Sequence, residues 1–153
     1  MIDIEKTIRQ YLSEVIHMSL ATSMNNKPWV CEVHFVFDKD LNIYFRSKPS
    51  RRHSKEIAQN NSVAGNIVSQ HTVGEKVRGV YFEGKAELLQ NIDNKHPAYK
   101  LYCQRFNRGE EILEEANNQE DGHKFYKISV KKFYLFDSRE SSPGQKYELE
   151  WGK

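Results

Sequence analysis

Hydrophobic and polar positions change rhythm along this chain, and the changes mark out its elements. Between residues 3 and 16 the apolar positions are Ile4, Ile8, Leu12, Val15 and Ile16, a helical spacing, with Asp3 placed to cap the first turn. The other side, with Glu5, Lys6, Arg9, Gln10 and Glu14, reads as solvent-facing. From His17 the period falls to two in short β-branched and aromatic runs, HMSLATS, WVCEVHFVF and LNIYFRS, divided by turn chemistry at residues 25–28 and 38–40. The spacing predicts a three-stranded antiparallel meander. In its second run Trp29, Cys31, Val33, Phe35 and Phe37 share one face, and Val30, Glu32, His34 and Val36 the other. The first face is expected in the core; the second is mixed enough to be a site wall or an interface.

Residues 46–60, RSKPSRRHSKEIAQN, end a strand, turn at Pro49 and start a short helix. Ser50 is the expected N-cap, Ile57 and Ala58 the core-facing positions, and Asn60-Asn61 the stop. SVAGNIVSQ then reads as a strand, HTVGEK as a loop, and residues 77–90 as a long strand in which Gly79 and Gly84 permit a bulge or bend. A second helix starts at His96-Pro97 with Tyr99, Leu101, Tyr102, Cys103 and Phe106 apolar, and Arg105 and Arg108 expected outward. Gly109 breaks it, and a short acidic helix runs on toward Asp121-Gly122. KFYKISVKKFYLFDS reads as two strands or one bent strand, SSPGQ as a loop and KYELEW as a final strand. Serial strands with inserted helices and no βαβ rhythm predict a mainly β fold, an antiparallel barrel with peripheral helices, in one domain over residues 1–153.

Composition narrows the partners. The 153 residues suffice for a core without disulfide or metal support, and eight Tyr, eight Phe and two Trp argue against wholesale disorder. With 23 basic against 21 acidic residues, any basic patch must be local, so nucleic acid is not an expected partner. Cys31 and Cys103 have no metal-type or redox spacing and read as buried free thiols. The start of the chain lacks an apolar leader and no run reaches transmembrane length, so no membrane association and a cytoplasmic location are expected.

Phosphate-loop, nucleophile-elbow and zinc-protease motifs are missing, and the six His are scattered, so no metal site is expected. Glu32 and His34 share a strand face and make a candidate acid/base pair. The sharper signal is electrostatic. Arg51, Arg52, His53 and Lys55 crowd a helix start that already carries partial positive charge, at about 0.3–1 kcal/mol per exposed charge. A phosphate there would meet backbone N–H groups, the Ser47 and Ser50 hydroxyls and guanidinium forks together. A solvated basic face, with Arg52 offset by Glu56 one turn on, explains the same residues.

The order of pieces MSLATS, PWVCEVHFVFDKDLNIYFRSKPSRRHSKEIAQNNSVAGNIV, RGVYFEGKAELL, FYKISVKKFYLFD and KYELEW resembles the pyridoxamine 5′-phosphate oxidase-like, FMN-binding split-barrel family, in particular its small bacterial members. The resemblance implies a six-stranded antiparallel split barrel and a homodimer with FMN in a groove shared by the subunits. By position, Ser47 matches a hydroxyl residue at the phosphate, and Arg52 and His53 the basic pair at the helix start, with His53 in place of the usual Lys and Lys55 as a substitute within reach. Cys31, Glu32, Val33 and His34 would lie along the flavin ring, Arg46 near the phosphate or ribityl chain, and Gly79 and Trp151 near the cofactor. The implied activity is that of an FMN-dependent oxidoreductase on an unassigned small molecule. Other occupants of such a barrel are haem, with His34 or His71 as ligand, a deazaflavin, or a nucleotide bound without catalysis.

Overall fold

A computed structural model describes residues 2–138 and 145–152. Helix α1 (Ile4–Glu14) is followed by strands β1 (His17–Met24), β2 (Lys27–His34), β3 (Val36–Phe37) and β4 (Ile43–Ser47), then α2 (Arg52–Gln59), β5 (Ser62–Ile67) and β6 (Arg78–Leu89). Helices α3 (Pro97–Phe106) and α4 (Glu111–Asn118) precede β7 (Lys124–Asp137) and β8 (Lys146–Glu150). The strands form one curled antiparallel sheet in the order β2-β1-β5-β6-β7-β4-β3, with β8 added to β7. The expected mainly β split barrel is present, with eight strands among the described residues instead of six.

Two of the eight explain the difference: β8, and β3, which is cut from β2 at Phe35. Phe35 is fully buried and donates its N–H to Ile16 O at 3.1 Å, and Val36 is then buried as well. Two successive buried side chains break the alternation expected for residues 29–37. The expected meander is therefore two hairpins at opposite edges of the sheet, β1–β2 and β3–β4. The first turns at Asn25 and Asn26, whose φ values of 53° and 61° suit a two-residue turn matched to strand twist.

The long β6–β7 pairing shifts register between Glu83 and Gly84. There a Cβ on residue 84 would run into the Ser129 carbonyl oxygen, so the bulge needs glycine. Residues 124–137 form one strand, of the two alternatives the pattern allowed.

One hydrophobic cluster fills the barrel, with Ile8, Tyr11 and Leu12 of α1 plugging it against Leu20, Phe45, Phe82 and Phe133. Each such fully buried side chain is worth about 1.5–3 kcal/mol in transfer free energy. The Tyr11 hydroxyl accepts from Ser69 N at 2.6 Å and donates to Arg78 O at 2.9 Å, so its polar end is satisfied. A second cluster, including Tyr44, Tyr102, Ile112 and Phe125, lies under α3 and α4.

Some single-residue expectations fail. Ile16 is 46% exposed, because the chain has left helical phase by that point, and Ala58 faces solvent while Ile57 is buried. Cys31 and Cys103 are free but only half-buried. Arg105 turns inward: its guanidinium donates to the carbonyls of Phe35, Leu12 and Val15 at 3.1, 2.8 and 2.5 Å and ties α3 to the end of α1 and to the β2–β3 break. The SSPGQ loop, Gln145 excepted, lies outside the described residues.

Candidate functional site at the start of helix α2

The basic stretch folds as a strand end, a turn and a helix start, but with different capping from the expected one. Arg51 is the N-cap and makes no side-chain capping bond. Ser50 instead donates its N–H and hydroxyl to the Asp121 carboxylate, at 3.0 and 2.7 Å. Those bonds, helped by the charges of Lys48 and Arg51, hold the Asp121 carboxyl below the usual carboxylate range. No acidic residue stands in the first turn of α2, so the leading N–H groups have neither a side-chain cap nor a nearby carboxylate on the helix.

Beside this helix start lies an open cavity of about 420 Å³, bounded by Met24, Asn25 and Lys27 of the first hairpin and by Ser50, Arg52, Lys55 and Glu56. Arg52 is fixed from two sides. Its Nε donates to Glu56 Oε2 at 2.8 Å, and its guanidinium carbon sits 4.2 Å from the centroid of the Trp29 ring. Glu56 is itself only 2% exposed, and its other carboxylate oxygen accepts from Thr22 Oγ at 2.8 Å. Donation from Arg52 and then from Thr22 keeps the Glu56 carboxyl below its ordinary value, hence ionised at neutral pH. Only one guanidinium nitrogen is thereby engaged, and an arginine presents five N–H donors. The remaining edge is available to an anion in the cavity.

Behind the first turn, Ser47 Oγ and His53 Nε2 are 2.6 Å apart, with Ser47 4% and His53 7% exposed. Burial first, then the neighbouring Arg51 charge, lowers the His53 pKa against a smaller opposing effect of Glu56. The imidazole is therefore neutral at pH 7 and adds hydrogen bonding, not charge. Cationic donors at the cavity are Arg52, Lys55 and Lys27, with the α2 N–H groups beside them. This donor set fits the phosphate of a phosphomonoester such as FMN.

Strand β2 is the sheet edge next to this helix start. Cys31 and Val33 turn partly toward the core, while Glu32 and His34 are exposed. Burial, reinforced by the Glu32 charge, raises the Cys31 thiol to about 11, so it stays protonated. His34 stacks on Phe106, ring centroids 4.9 Å apart, and Glu32 receives His17 Nδ1 at 3.0 Å together with the Ser19 hydroxyl. Glu32 thus pairs with His17, across the strand, instead of with His34.

Three predicted site residues lie elsewhere. Arg46 points to the face of β4 opposite Ser47, where its side chain is 5% exposed and bonds Glu115 at 3.0 Å among Tyr102 and Phe125. Burial works to raise that glutamate, but donation from His123 N–H and ring and from Arg46 brings it down to about 2. Gly79 is buried against Val68. Trp151 donates its indole N–H to Asp40 O at 2.8 Å, at the far end of β4 from Ser47. Conversely, Thr22, Trp29, His17 and Asp121 belong to the site or its rim and were not singled out for it. The alternation that assigned Trp29 to the core concealed it, and nothing local marks Asp121. Only the Arg52–Glu56 spacing signalled part of the arrangement.

Comparison with known proteins agrees with this architecture. A sequence model of the family described as pyridoxamine 5′-phosphate oxidase matches residues 4–137. A UPF0306 protein of Photorhabdus laumondii is 28% identical over 100 residues, covering 65% of this chain and 69% of that one. A solved structure of a pyridoxamine 5′-phosphate oxidase-related, FMN binding protein from Nostoc punctiforme superposes with a TM-score of 0.69 at 10% identity, over 100% of this chain and 93% of the other. HutZ, the haem storage protein of Vibrio cholerae, superposes with a TM-score of 0.63 at 17% identity, over 83% and 89% of the two chains. Likeness at these identities is likeness of fold.

Proposed function

The chain belongs to the pyridoxamine 5′-phosphate oxidase family, and from that membership we propose that it binds FMN and acts as a flavin-dependent oxidoreductase on a small molecule. The observation that carries the reading is Arg52, held by Glu56 and Trp29 with a donor edge left over at a helix start that has no acidic cap. In this reading Arg52, Lys55 and the α2 N–H groups take the phosphate, and the neutral Ser47–His53 pair supports them from the buried side. Cys31, Glu32, Val33 and His34 form the wall for the ring, chiefly through the backbone groups that the sheet edge leaves unpaired. A second copy of the chain completes the groove.

A bound flavin supplies the electron and hydride chemistry; the protein's part is to bind, orient and exclude competing reactions. The ring wall carries the Glu32–His17 pair and His34, groups able to hold or move a proton beside it. Purified protein incubated with FMN is expected to retain a yellow chromophore with quenched flavin fluorescence after desalting. Complete loss of the flavin on desalting would remove this reading.

Haem is the second reading, favoured by the likeness of fold to HutZ and by an exposed His34 on the same strand. A Soret band on adding haemin, lost in His34→Ala, would establish it in place of the flavin.

A further inference from the structure

At the other end of β4 the structure has a second cavity, of about 520 Å³, between the β3–β4 turn, the first turns of α3 and Arg9 in the middle of α1. Its rim carries Arg9, Lys39, Lys95 and Lys100. Arg9 is engaged by Glu5 at 2.8 Å, but the three lysine ammonium groups have no hydrogen-bond or ion-pair partner among the described residues. Of the two rim carboxylates, Asp38 is already saturated. It accepts from Asp40 N, Asn42 N, Asn42 Nδ2 and the Tyr44 hydroxyl at 2.8–3.0 Å and faces its own turn. Four cations on the rim thus stand against the two carboxylates of Asp38 and Asp40. The whole chain has a formal net charge of only +2, so this rim is a local concentration of positive charge.

The floor is of the opposite character. Phe37, Pro97 and Leu101 form an apolar surface, and Phe37, Leu101 and Gln104 continue into an adjoining cavity of about 350 Å³ under α3. The Gln104 side-chain amide has no partner among the described residues and offers both a donor and an acceptor at that end. Cations on the rim, an apolar floor and a free amide beside it suit a molecule with a multiply charged anionic group and a planar, hydrogen-bonding body. The volume lies within the range of small-molecule sites.

We propose that this cavity is a second ligand site that takes a nucleoside phosphate, with Lys39, Lys95 and Lys100 on the phosphates and the base between Phe37 and Leu101 within reach of the Gln104 amide. The proposal does not depend on the flavin reading, since the two cavities share no residue.

ADP is the probe, titrated calorimetrically into the purified protein with and without saturating FMN, alongside adenosine and pyrophosphate. One ADP per chain is expected under both conditions, with adenosine and pyrophosphate each weaker by roughly tenfold or more, since each lacks half of the contacts. Lys100→Glu and Lys39→Gln, both on exposed side chains, are expected to weaken ADP by roughly tenfold while leaving FMN binding unchanged. Absence of ADP binding, competition between ADP and FMN, or full retention of ADP binding in both variants would overturn the proposal. Pyrophosphate binding as tightly as ADP would overturn the assignment of a base pocket.

Discussion

The guanidinium of Arg52 and the indole of Trp29 lie one over the other, 4.2 Å from carbon to centroid, and this contact joins helix α2 to the edge strand β2. It determines the orientation in which Arg52 meets the cavity and makes a lysine at 52 a poor replacement, because an ammonium cannot stack and fork at once. Arg52→Ala is expected to weaken FMN by roughly ten- to hundredfold and riboflavin much less, since the loss falls on the phosphate. Arg52→Lys should recover only part of it. Equal losses for the two flavins, measured by fluorescence titration, would place the phosphate elsewhere.

His53 makes stability depend on pH in a definite direction. Its pKa is lowered by burial, so between its folded value and the ordinary histidine range the unfolded chain binds more protons. Stability from this group is complete above the ordinary histidine range and is lost as pH falls through that range toward the folded value. His96, lowered by burial and by Lys127, acts in the same sense. His53→Asn is expected to flatten the slope of urea-unfolding free energy between pH 7 and about pH 5. An unchanged slope would mean that His53 titrates alike in both states.

Arg105 satisfies three main-chain carbonyls, two at the end of α1 and one at the β2–β3 break. Arg105→Leu keeps much of the bulk and removes every donor, and is expected to cost about 2–3 kcal/mol by urea denaturation. If the variant unfolds at the same urea concentration as the parent, water has replaced the guanidinium and the tie between α1, α3 and the β2–β3 break is not needed.

Gly84 tests the bulge. A methyl group there meets the Ser129 carbonyl and the backbone of Val130, atoms that cannot rotate away. Gly84→Ala is therefore expected to lose about 1–3 kcal/mol, whereas Gly74→Ala, in open space, should be hurt only by its positive φ of 94°.

The two kinds of information in the chain were unequally legible. Period-two runs and turn residues located the strands apart from the separate β3, and Asp3, Asn60 and Gly109 marked helix limits, because these signals act over a few neighbours. What the pattern could not carry was decided at long range. Residues 29–37 look like one continuous strand because each residue alone suits extended structure; the break at Phe35 arises from which side of the barrel still needed filling. Ser50 has the chemistry of an N-cap, yet Asp121 competes for it from 71 positions away and wins. Arg105 sits on a helix as any solvated arginine would, and only the three carbonyls facing it turn it inward. At the candidate site the charge anomaly and the Arg52–Glu56 spacing were visible, but the rest was not, since Trp29 reaches Arg52, and Thr22 reaches Glu56, only after the barrel curls.

The break at Phe35 also bears on how the chain is built as it emerges from the ribosome. Each of the two hairpins it separates closes from adjacent residues and can form early. Neither has its permanent neighbour yet: β1 awaits β5, and β4 awaits β7, which begins only at Lys124. Until then one flank of the β3–β4 hairpin offers unsatisfied main-chain groups to any other extended segment. A fragment ending before residue 124 should thus bind holdase chaperones and aggregate, while one that extends past residue 137, free of the ribosome, should be protease-resistant.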